Sequence, residues 1–382
     1  MKQRLLLSLL SIIALFSSAF AQVPAEGYKF SVRKQLPATS VKNQERTNTC
    51  WSFSAISMLE SELIRTGKGE FDLSEMFIVY HNYIAKADRF VRMHGKSEFA
   101  GGGENNDVTD VMQKWGIAPE SAFSGLKPGE AGHNHLEMDK ILRGYVDEIV
   151  KNGNQLLSPV WLSGFESILQ SYLGKLPEDF KFDGKKYTPE TFSSNLGLNT
   201  NDYVMITSYT HHPFYSSFIL ELPDNWSWGK AYNVPLDELT SIVDNAINTG
   251  YTVAWASDVS DKGFNFKQGI ALVPDMDEKK ASVQDWEKVF LAPGKEKLIT
   301  QELRQRDFDN YATTDDHGMH ITGIAGDQQG NKYYCVKNSW GIENPYKGFI
   351  YVSQPYFKLR TTVIFLNKKA IPEGIKIKLG IL

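Results

Sequence analysis

Hydrophobic residues recur at helical spacing in the first half of the chain and in short alternating runs in the second half. Apolar positions three and four residues apart predict helices at residues 50–66, 75–88, 108–115, 136–150, 165–173 and 237–248. Ser74 precedes the second of these helices and is a suitable N-cap. Short apolar or alternating runs between turn-forming residues predict strands at residues 203–209, 217–221, 252–256, 269–273, 317–324, 332–337 and 348–352. The pattern therefore changes from helical to β-rich near Tyr203.

The composition is that of a globular protein with a sizeable core. The chain has 382 residues, of which 42% are hydrophobic and 12% aromatic, enough for one large domain or two to three subdomains. Its net charge of −4 gives no general attraction to nucleic acids or anionic membranes, so neither partner is predicted. Paired CxxC and HExxH motifs do not occur in the sequence. His211 and His212 are adjacent but have no acidic partner nearby in sequence, so we predict no metal site and no cofactor.

The first residues have the pattern of a secretory signal peptide. A short basic start is followed by an apolar run at residues 5–16 and by the small-x-small cleavage pattern Ala19-Phe20-Ala21. The alternative is a membrane anchor, but the apolar run is too short to span a bilayer comfortably. We therefore predict removal of residues 1–21, a mature N-terminus near Gln22, and export to the periplasm or the extracellular space without stable membrane insertion.

Cys50 lies where a polar, turn-prone loop becomes the first predicted helix. Asn48 and Thr49 are N-cap residue types, which puts Cys50 in the first helical turn. Free backbone N–H groups and the positive end of the helix dipole stabilise an anion there, and the thiolate is the nucleophilic form of cysteine. The alternative is that Cys50, beside Trp51, is a small buried hydrophobic residue. A catalytic role therefore requires a histidine and an orienting group elsewhere in the chain.

The C-terminal part of the chain supplies both groups. His317 follows Asp316, and Asn338 occurs in the stretch Asn338-Ser339-Trp340. Together with Cys50, these residues closely resemble the papain superfamily of cysteine peptidases. Gln44 lies six residues before Cys50, which is that family's spacing for the side-chain donor of its oxyanion hole.

The resemblance also distinguishes residues that support the site from a histidine and a cysteine that are not part of it. It implies that Trp51, Asp316 and Trp340 support the site. It also implies that two of the three glycines Gly101, Gly102 and Gly103 pair through their backbone with an extended substrate, and the alternative for this run is a flexible turn. It selects His317 as the base because Gly323 lies six residues further on, which makes His320 a packing position. Cys335 lies in an apolar run and is predicted to be a buried structural thiol. Small secreted relatives have a disulfide-bonded cysteine at the position of Thr47, so we expect a fold without disulfides.

Further segments resemble one branch of this superfamily, the bleomycin hydrolases and bacterial aminopeptidases C. The matching segments are residues 173–180, 187–192, 232–239 and 254–259. The resemblance covers most of residues 40–370 and implies an α+β, papain-like two-lobed fold with a helical left half, an antiparallel, β-barrel-like right half and a helical insertion. We accordingly predict a helical half at residues 22–125, the insertion at residues 126–202 and a β-rich half at residues 203–382. The resemblance also implies a possible homohexamer.

The implied function is hydrolysis of peptide substrates by a Cys-His-Asn triad, with the aminopeptidase activity of the bleomycin hydrolase type. In that branch the C-terminal tail lies in the cleft, where its carboxylate meets the free amine of the substrate. Here residues 375–382 alternate apolar with basic side chains, which predicts an edge strand and an open cleft. The alternatives are a papain-like endopeptidase, a non-peptide amidase or acyl transferase with the same triad, and a non-catalytic binding protein.

Overall fold

The structure of the protein is a computed structural model that describes residues 27–153 and 156–381. The predicted signal peptide and its cleavage site lie outside the described residues. Among the residues that are described, no helix is both long enough and apolar enough to cross a membrane.

The N-terminal part is mainly helical, as predicted. Its elements are β1 (Ser31–Gln35), α1 (Cys50–Arg65), α2 (Glu75–Arg92), α3 (Asn106–Trp115), α4 (Leu136–Val150), α5 (Trp161–Leu173), β2 (Phe180–Phe182), β3 (Lys185–Tyr187) and α6 (Pro189–Leu196). The Ser74 side chain caps α2 by accepting a hydrogen bond from the Phe77 N–H at 2.9 Å, which confirms the predicted cap. Helix α1 ends before Gly67, whose φ of 75° turns the chain away from the helix axis.

The C-terminal part is built around one large sheet. Its elements are β4 (Tyr203–Thr207), β5 (Ser217–Ile219), β6 (Lys230–Asn233), α7 (Leu236–Thr249), β7 (Val253–Ser257), β8 (Phe264–Asn265), β9 (Ile270–Ala271), α8 (Val283–Val289), α9 (Gln301–Asp309), β10 (His317–Gly326), β11 (Lys332–Lys337), β12 (Phe349–Ser353), α10 (Gln354–Arg360), β13 (Thr361–Asn367) and α11 (Glu373–Leu379). The strand order is β5-β6-β4-β13-β7-β10-β11-β12-β9-β8, with β1 paired to β10. The pairs β4–β6 and β12–β9 are parallel and the other pairs are antiparallel, so the sheet is mixed. The helices together with this sheet confirm the predicted α+β class.

Helix α1 is the central element because it packs against both halves of the molecule. Every residue from Trp51 to Ser61 is buried, and α1 contacts α2 and α3 on one side and β7 and β10 on the other. Strand β10 approaches the start of α1 closely at Gly318, where an added Cβ would lie 2.7 Å from Ser54 Oγ and 3.2 Å from the Cys50 carbonyl oxygen. This close approach brings the beginning of β10 next to the beginning of α1.

The predicted insertion packs onto the helical half. Helices α4 and α5 contact α2, and α6 contacts α3. Met138, Leu142, Phe165 and Phe192 belong to the same buried cluster as Trp51. The insertion therefore extends the core around α1.

The prediction of a C-terminal edge strand is wrong. Residues Glu373–Leu379 form helix α11, which follows Pro372 and ends at Gly380 in the left-handed conformation. Ile375 and Leu379, one helical turn apart, are both buried, whereas Ile377 between them is 72% exposed. Ile375 and Leu379, four residues apart, therefore form the buried face of a helix, although apolar residues also occur at every second position of this segment. Lys378 of α11 pairs with Glu238 of α7 at 2.6 Å.

Candidate active site

Cys50 is the first residue of α1. Burial raises the pKa of its thiol to about 12, and the backbone N–H groups of Gly318 and Trp51 oppose that shift. Thr49 occupies the N-cap position without capping the helix through its side chain. Its hydroxyl pairs instead with that of Thr47 at 2.6 Å. The Thr49 side chain therefore accepts no hydrogen bond from the N–H groups of the first helical turn.

His317 and Asn338 lie at the start of β10 and the end of β11. The Nε2 atom of His317 is 2.6 Å from Asn338 Oδ1, which also accepts a hydrogen bond from the Ser339 N–H at 2.8 Å. Because Oδ1 can only accept, Nε2 carries the proton and Nδ1 keeps its lone pair. Burial lowers the pKa of His317 to about 4, while the Asn338 contact and the charge of Asp316 oppose that shift.

The two shifts favour a neutral thiol and a neutral imidazole in the free enzyme. Each arises because burial penalises the charged form of its own group.

Trp340 and Asp316 lie next to His317. The Trp340 ring stacks on the His317 ring with centroids 4.4 Å apart. The Asp316 carboxylate accepts hydrogen bonds from the backbone N–H groups of Val259 and Ser260 at 3.2 and 3.0 Å. The supporting roles of these residues stay a prediction.

The side chain of Gln44 is held by a residue that sequence analysis missed. The Ser339 hydroxyl donates to Gln44 Oε1 at 2.6 Å, and the Gln44 N–H donates to the Ser339 carbonyl at 2.8 Å. With its oxygen held in this way, the Gln44 side-chain amide presents its NH₂ group as a donor. Ser339 lies between Asn338 and Trp340, so the same short stretch positions both the imidazole and the amide.

The three glycines of the predicted substrate segment have different surroundings. The Gly101 carbonyl accepts a hydrogen bond from Trp51 Nε1 at 3.1 Å, and an added Cβ on Gly103 would touch the Trp51 ring. These two glycines therefore pack against the start of α1. A Cβ on Gly102 would instead overlap the carboxylate of Asp224.

His320 is a buried packing residue in this structure. It is 1% exposed, and its Nδ1 lies 2.9 Å from Ser57 Oγ, which receives a hydrogen bond from Lys337 at 2.7 Å. Burial and the Lys337 charge hold the pKa of His320 well below its usual value. His320 thus links β10 to the middle of α1 as a neutral side chain. Cys335 is likewise buried, and both cysteines are free thiols.

The expectation that His211 and His212 lack an acidic partner is wrong. Glu221 on the neighbouring strand end lies 3.1 Å from His211 Nε2 and 2.6 Å from His212 Nε2. The three side chains could in principle hold a metal ion. Gln305, however, accepts from the Thr210 N–H and turns its amide NH₂ toward His211 Nδ1 at 3.0 Å. The Nδ1 atom is then the acceptor, so Nε2 bears the hydrogen and donates to Glu221, which is the wrong tautomer for a metal ligand.

Comparison with known proteins agrees with this geometry. A family model described as the Peptidase C1-like family matches residues 15–380. The chain belongs to the Peptidase C1-like family. This membership confirms the predicted relationship to the papain superfamily and to its aminopeptidase C branch, and it makes the chain a papain-like cysteine peptidase.

Several members of this family are similar to the chain over most of its length. Aminopeptidase G of Lactobacillus delbrueckii subsp. lactis is 24% identical, and the match covers 88% of this chain and 82% of the relative. Aminopeptidase C of Lactococcus lactis subsp. cremoris is also 24% identical, over 96% of this chain and 87% of the relative. The crystal structure of PepW from Lactobacillus rhamnosis HN001 superposes with a TM-score of 0.70 at 19% identity, covering 92% of this chain and 84% of that one. The superposition confirms the fold of this Peptidase C1-like protein.

Proposed function

We propose that the protein is a cysteine aminopeptidase in which Cys50 is the nucleophile, His317 the general base and Asn338 the residue that orients it. The observation that carries the proposal is the contact of 2.6 Å between His317 Nε2 and Asn338 Oδ1. It leaves Nδ1 as the one ring nitrogen able to take the thiol proton, at the strand start that packs closely on the Cys50 backbone at Gly318.

The reaction follows from these positions. His317 Nδ1 takes the Cys50 proton while the sulfur attacks the carbonyl carbon of the scissile amide. The tetrahedral oxyanion accepts hydrogen bonds from the Gln44 side-chain NH₂ and the Cys50 backbone N–H. Collapse of this intermediate breaks the C–N bond, and the imidazolium gives its proton to the leaving amine. Water then attacks the thioester with His317 again as base, which releases the acid and restores the thiol.

The aminopeptidase assignment is supported by the relatives, which are named aminopeptidases. A papain-like endopeptidase is the second candidate, because the described hydrogen bonds and ion pairs of residues 371–381 involve none of the proposed site residues. An amidase or acyl transferase with the same triad and a non-catalytic binding protein are the remaining alternatives, and a homohexamer stays a prediction.

Product analysis tests this function. The mature protein is incubated with a library of unblocked peptides, and the termini of the products are read by mass spectrometry. An aminopeptidase removes residues from the N-terminus in succession. Products that arise from internal cuts would favour the endopeptidase, and cleavage of simple amides but not of peptides would favour the amidase.

Replacing Gln44 by alanine is expected to lower kcat by about 100- to 1,000-fold, because one oxyanion donor typically contributes about 2.7–4 kcal/mol. Ser339→Ala should lower kcat less, by about tenfold, since the Gln44 amide remains but loses the bond that orients it. Steady-state kinetics of both variants give the comparison. If Gln44→Ala keeps more than about a third of the wild-type kcat, Gln44 is not an oxyanion donor.

Export is a further part of the proposal and rests on the pattern at residues 1–21. We expect the native protein to begin at or near Gln22, because the cleavage pattern ends at Ala21. N-terminal sequencing of protein purified from its natural source checks this. A cytoplasmic pool that begins at Met1 would contradict export.

A further inference from the structure

The loop between β5 and β6, residues 220–229, crosses from the sheet to the helical half. Trp226 Nε1 donates to Asp107 Oδ2 of α3 at 2.6 Å, and the Trp228 ring stacks on the guanidinium of Arg89 in α2 at 4.1 Å. Asn225 is buried and ties the loop together, since its side-chain amide donates to the Leu220 and Gly229 carbonyls at 2.8 and 2.9 Å. The 220–229 loop is thus fixed at both ends and in its middle.

This loop places the Asp224 carboxylate against Gly102. The contact is close enough that any side chain at Gly102 would collide with that carboxylate. Gly102 adjoins Gly103, which packs on the Trp51 ring beside Cys50. Asp224 therefore lies against the middle residue of the glycine run that the family resemblance assigns to substrate pairing.

The Asp224 carboxylate has no hydrogen bond or ion pair within 4.0 Å to any of the described residues. The nearest buried cation, Lys86, acts on it from a distance but directs its ammonium group to the carbonyls of Ala100 and Gly102. Asp224 is partly exposed, so a ligand can reach its carboxylate.

Two further carboxyl groups form a cluster with Asp224. Asp315 shares a hydrogen bond with Glu104, and burial raises the pKa of Asp315 to about 7 and that of Glu104 well above its usual value. Glu104 is 2% exposed, and its Oε1 has no hydrogen-bond partner among the described residues. A buried carboxyl oxygen is costly without a donor, so a ligand that supplies one would be favoured here.

A cavity of about 520 Å³ opens beside this cluster. It is bounded by Leu222, Pro223, Phe308, Thr313, Asp224 and Asp315. The apolar walls suit a side chain, and the carboxylates suit an ammonium group next to it. One amino-acid residue with a free amine combines these two features.

We propose that Asp224 binds the α-ammonium group of the peptide substrate and that the 220–229 loop closes the cleft beyond it. Asp224 is then a specificity-determining residue that restricts cleavage to the N-terminus. This inference rests on the proposed peptidase function.

The test compares one peptide with a free and with an acetylated N-terminus, in versions that begin with Leu and with Lys. The wild type should cleave the free forms and should cleave the acetylated forms at least about 100-fold less efficiently. Asp224→Asn keeps the shape and removes the charge, so kcat/KM for both free peptides should fall about 10- to 100-fold, chiefly through KM, while acetylated peptides stay unchanged. Asp224→Gly should in addition admit acetylated peptides, because it removes the obstruction.

Asp237→Asn is the matched control, because it makes the same substitution at an exposed carboxylate that pairs with Lys358 and does not line this cavity. The control should keep the wild-type ratio of free to acetylated cleavage. An unchanged ratio in Asp224→Asn would overturn the inference, and so would a loss confined to the peptide that begins with Lys. Equal wild-type cleavage of free and acetylated forms would overturn both the inference and the aminopeptidase assignment.

A binding measurement separates this inference from the catalytic mechanism. In a Cys50→Ser background, calorimetry should give a dissociation constant for the free peptide that Asp224→Asn raises about 10- to 100-fold. Binding of the acetylated peptide should not respond to Asp224→Asn. If the free peptide binds equally well to both proteins, Asp224 does not hold its amine, whatever the activity of the wild type.

Discussion

Replacing Cys50 by serine is expected to lower kcat/KM for peptides at least about a thousandfold, because residues of a catalytic triad act as a unit. The hydroxyl is a far weaker nucleophile than the thiol at neutral pH. Serine has nearly the same shape, and Cys50 is a free cysteine, so its replacement breaks no disulfide. The melting temperature should therefore change by less than about 2 °C. Steady-state kinetics and thermal unfolding measure the two quantities.

Cys335→Ala is the matched control for this variant. Cys335 is the other cysteine of the chain, and it is buried in β11 without a role in the proposed reaction. Its replacement should leave kcat/KM within about threefold of the wild type, with a modest loss of stability from the small cavity. Most of the activity surviving in Cys50→Ser, or disappearing in Cys335→Ala, would refute the choice of nucleophile.

Replacing His317 by alanine should reduce kcat/KM by a similar factor, at least about a thousandfold. Without the imidazole, no group accepts the thiol proton or returns it to the leaving amine. The Asn338 Oδ1 atom keeps its hydrogen bond to the Ser339 N–H, so the loop around Asn338 should stay in place. Circular dichroism and kinetics on the same preparation check the fold and the activity together.

His320→Ala is the comparison that tests which histidine is the base. It should cost about 1–3 kcal/mol of stability, because Ser57 loses a partner and a cavity forms. Its kcat/KM should fall by less than about tenfold. His320→Gln offers a second variant with an acceptor for Ser57, in case the alanine variant folds poorly. The reverse order of effects would make His320 the base.

The nucleophile helix could be predicted because several signals agree there. Polar residues before Cys50 and apolar residues at helical spacing after it define both the start and the buried face of α1. Ser74 and Gly67 similarly mark the ends of their helices through local chemistry. Features of this kind depend on neighbours within about four residues, so the sequence displays them directly.

Other features depend on neighbours that are distant in sequence. Strand β13 follows α10 directly, without turn-forming residues between them. The sequence therefore contains no local signal for the start of this strand. The partners Glu221 of His211 and Ser339 of Gln44 are brought close by the fold. The alternation at residues 375–381 fits either a strand or a helix, and packing of Ile375 and Leu379 against the core decides for the helix.

The position of Asp224 likewise depends on residues that are distant in sequence. Nothing around Asp224 in the sequence distinguishes it from a solvated loop carboxylate. Its place on Gly102 results from Trp226 and Trp228, which attach the 220–229 loop to α3 and α2. A loop held by residues that are distant in sequence depends on tertiary packing. Hydrophobic periodicity and turn signals in a single sequence do not predict it.

Covalent labelling tests the central claim, that Cys50 is a nucleophile activated by His317. The mature wild-type protein and His317→Ala are treated with a peptidyl epoxide, and the site of the adduct is mapped by mass spectrometry after digestion. We predict one adduct per chain on Cys50 in the wild type, with loss of peptidase activity in the same proportion, and labelling at least about a hundredfold slower in His317→Ala. Labelling of Cys335 instead, or peptidase activity that survives full modification of Cys50, would contradict the account.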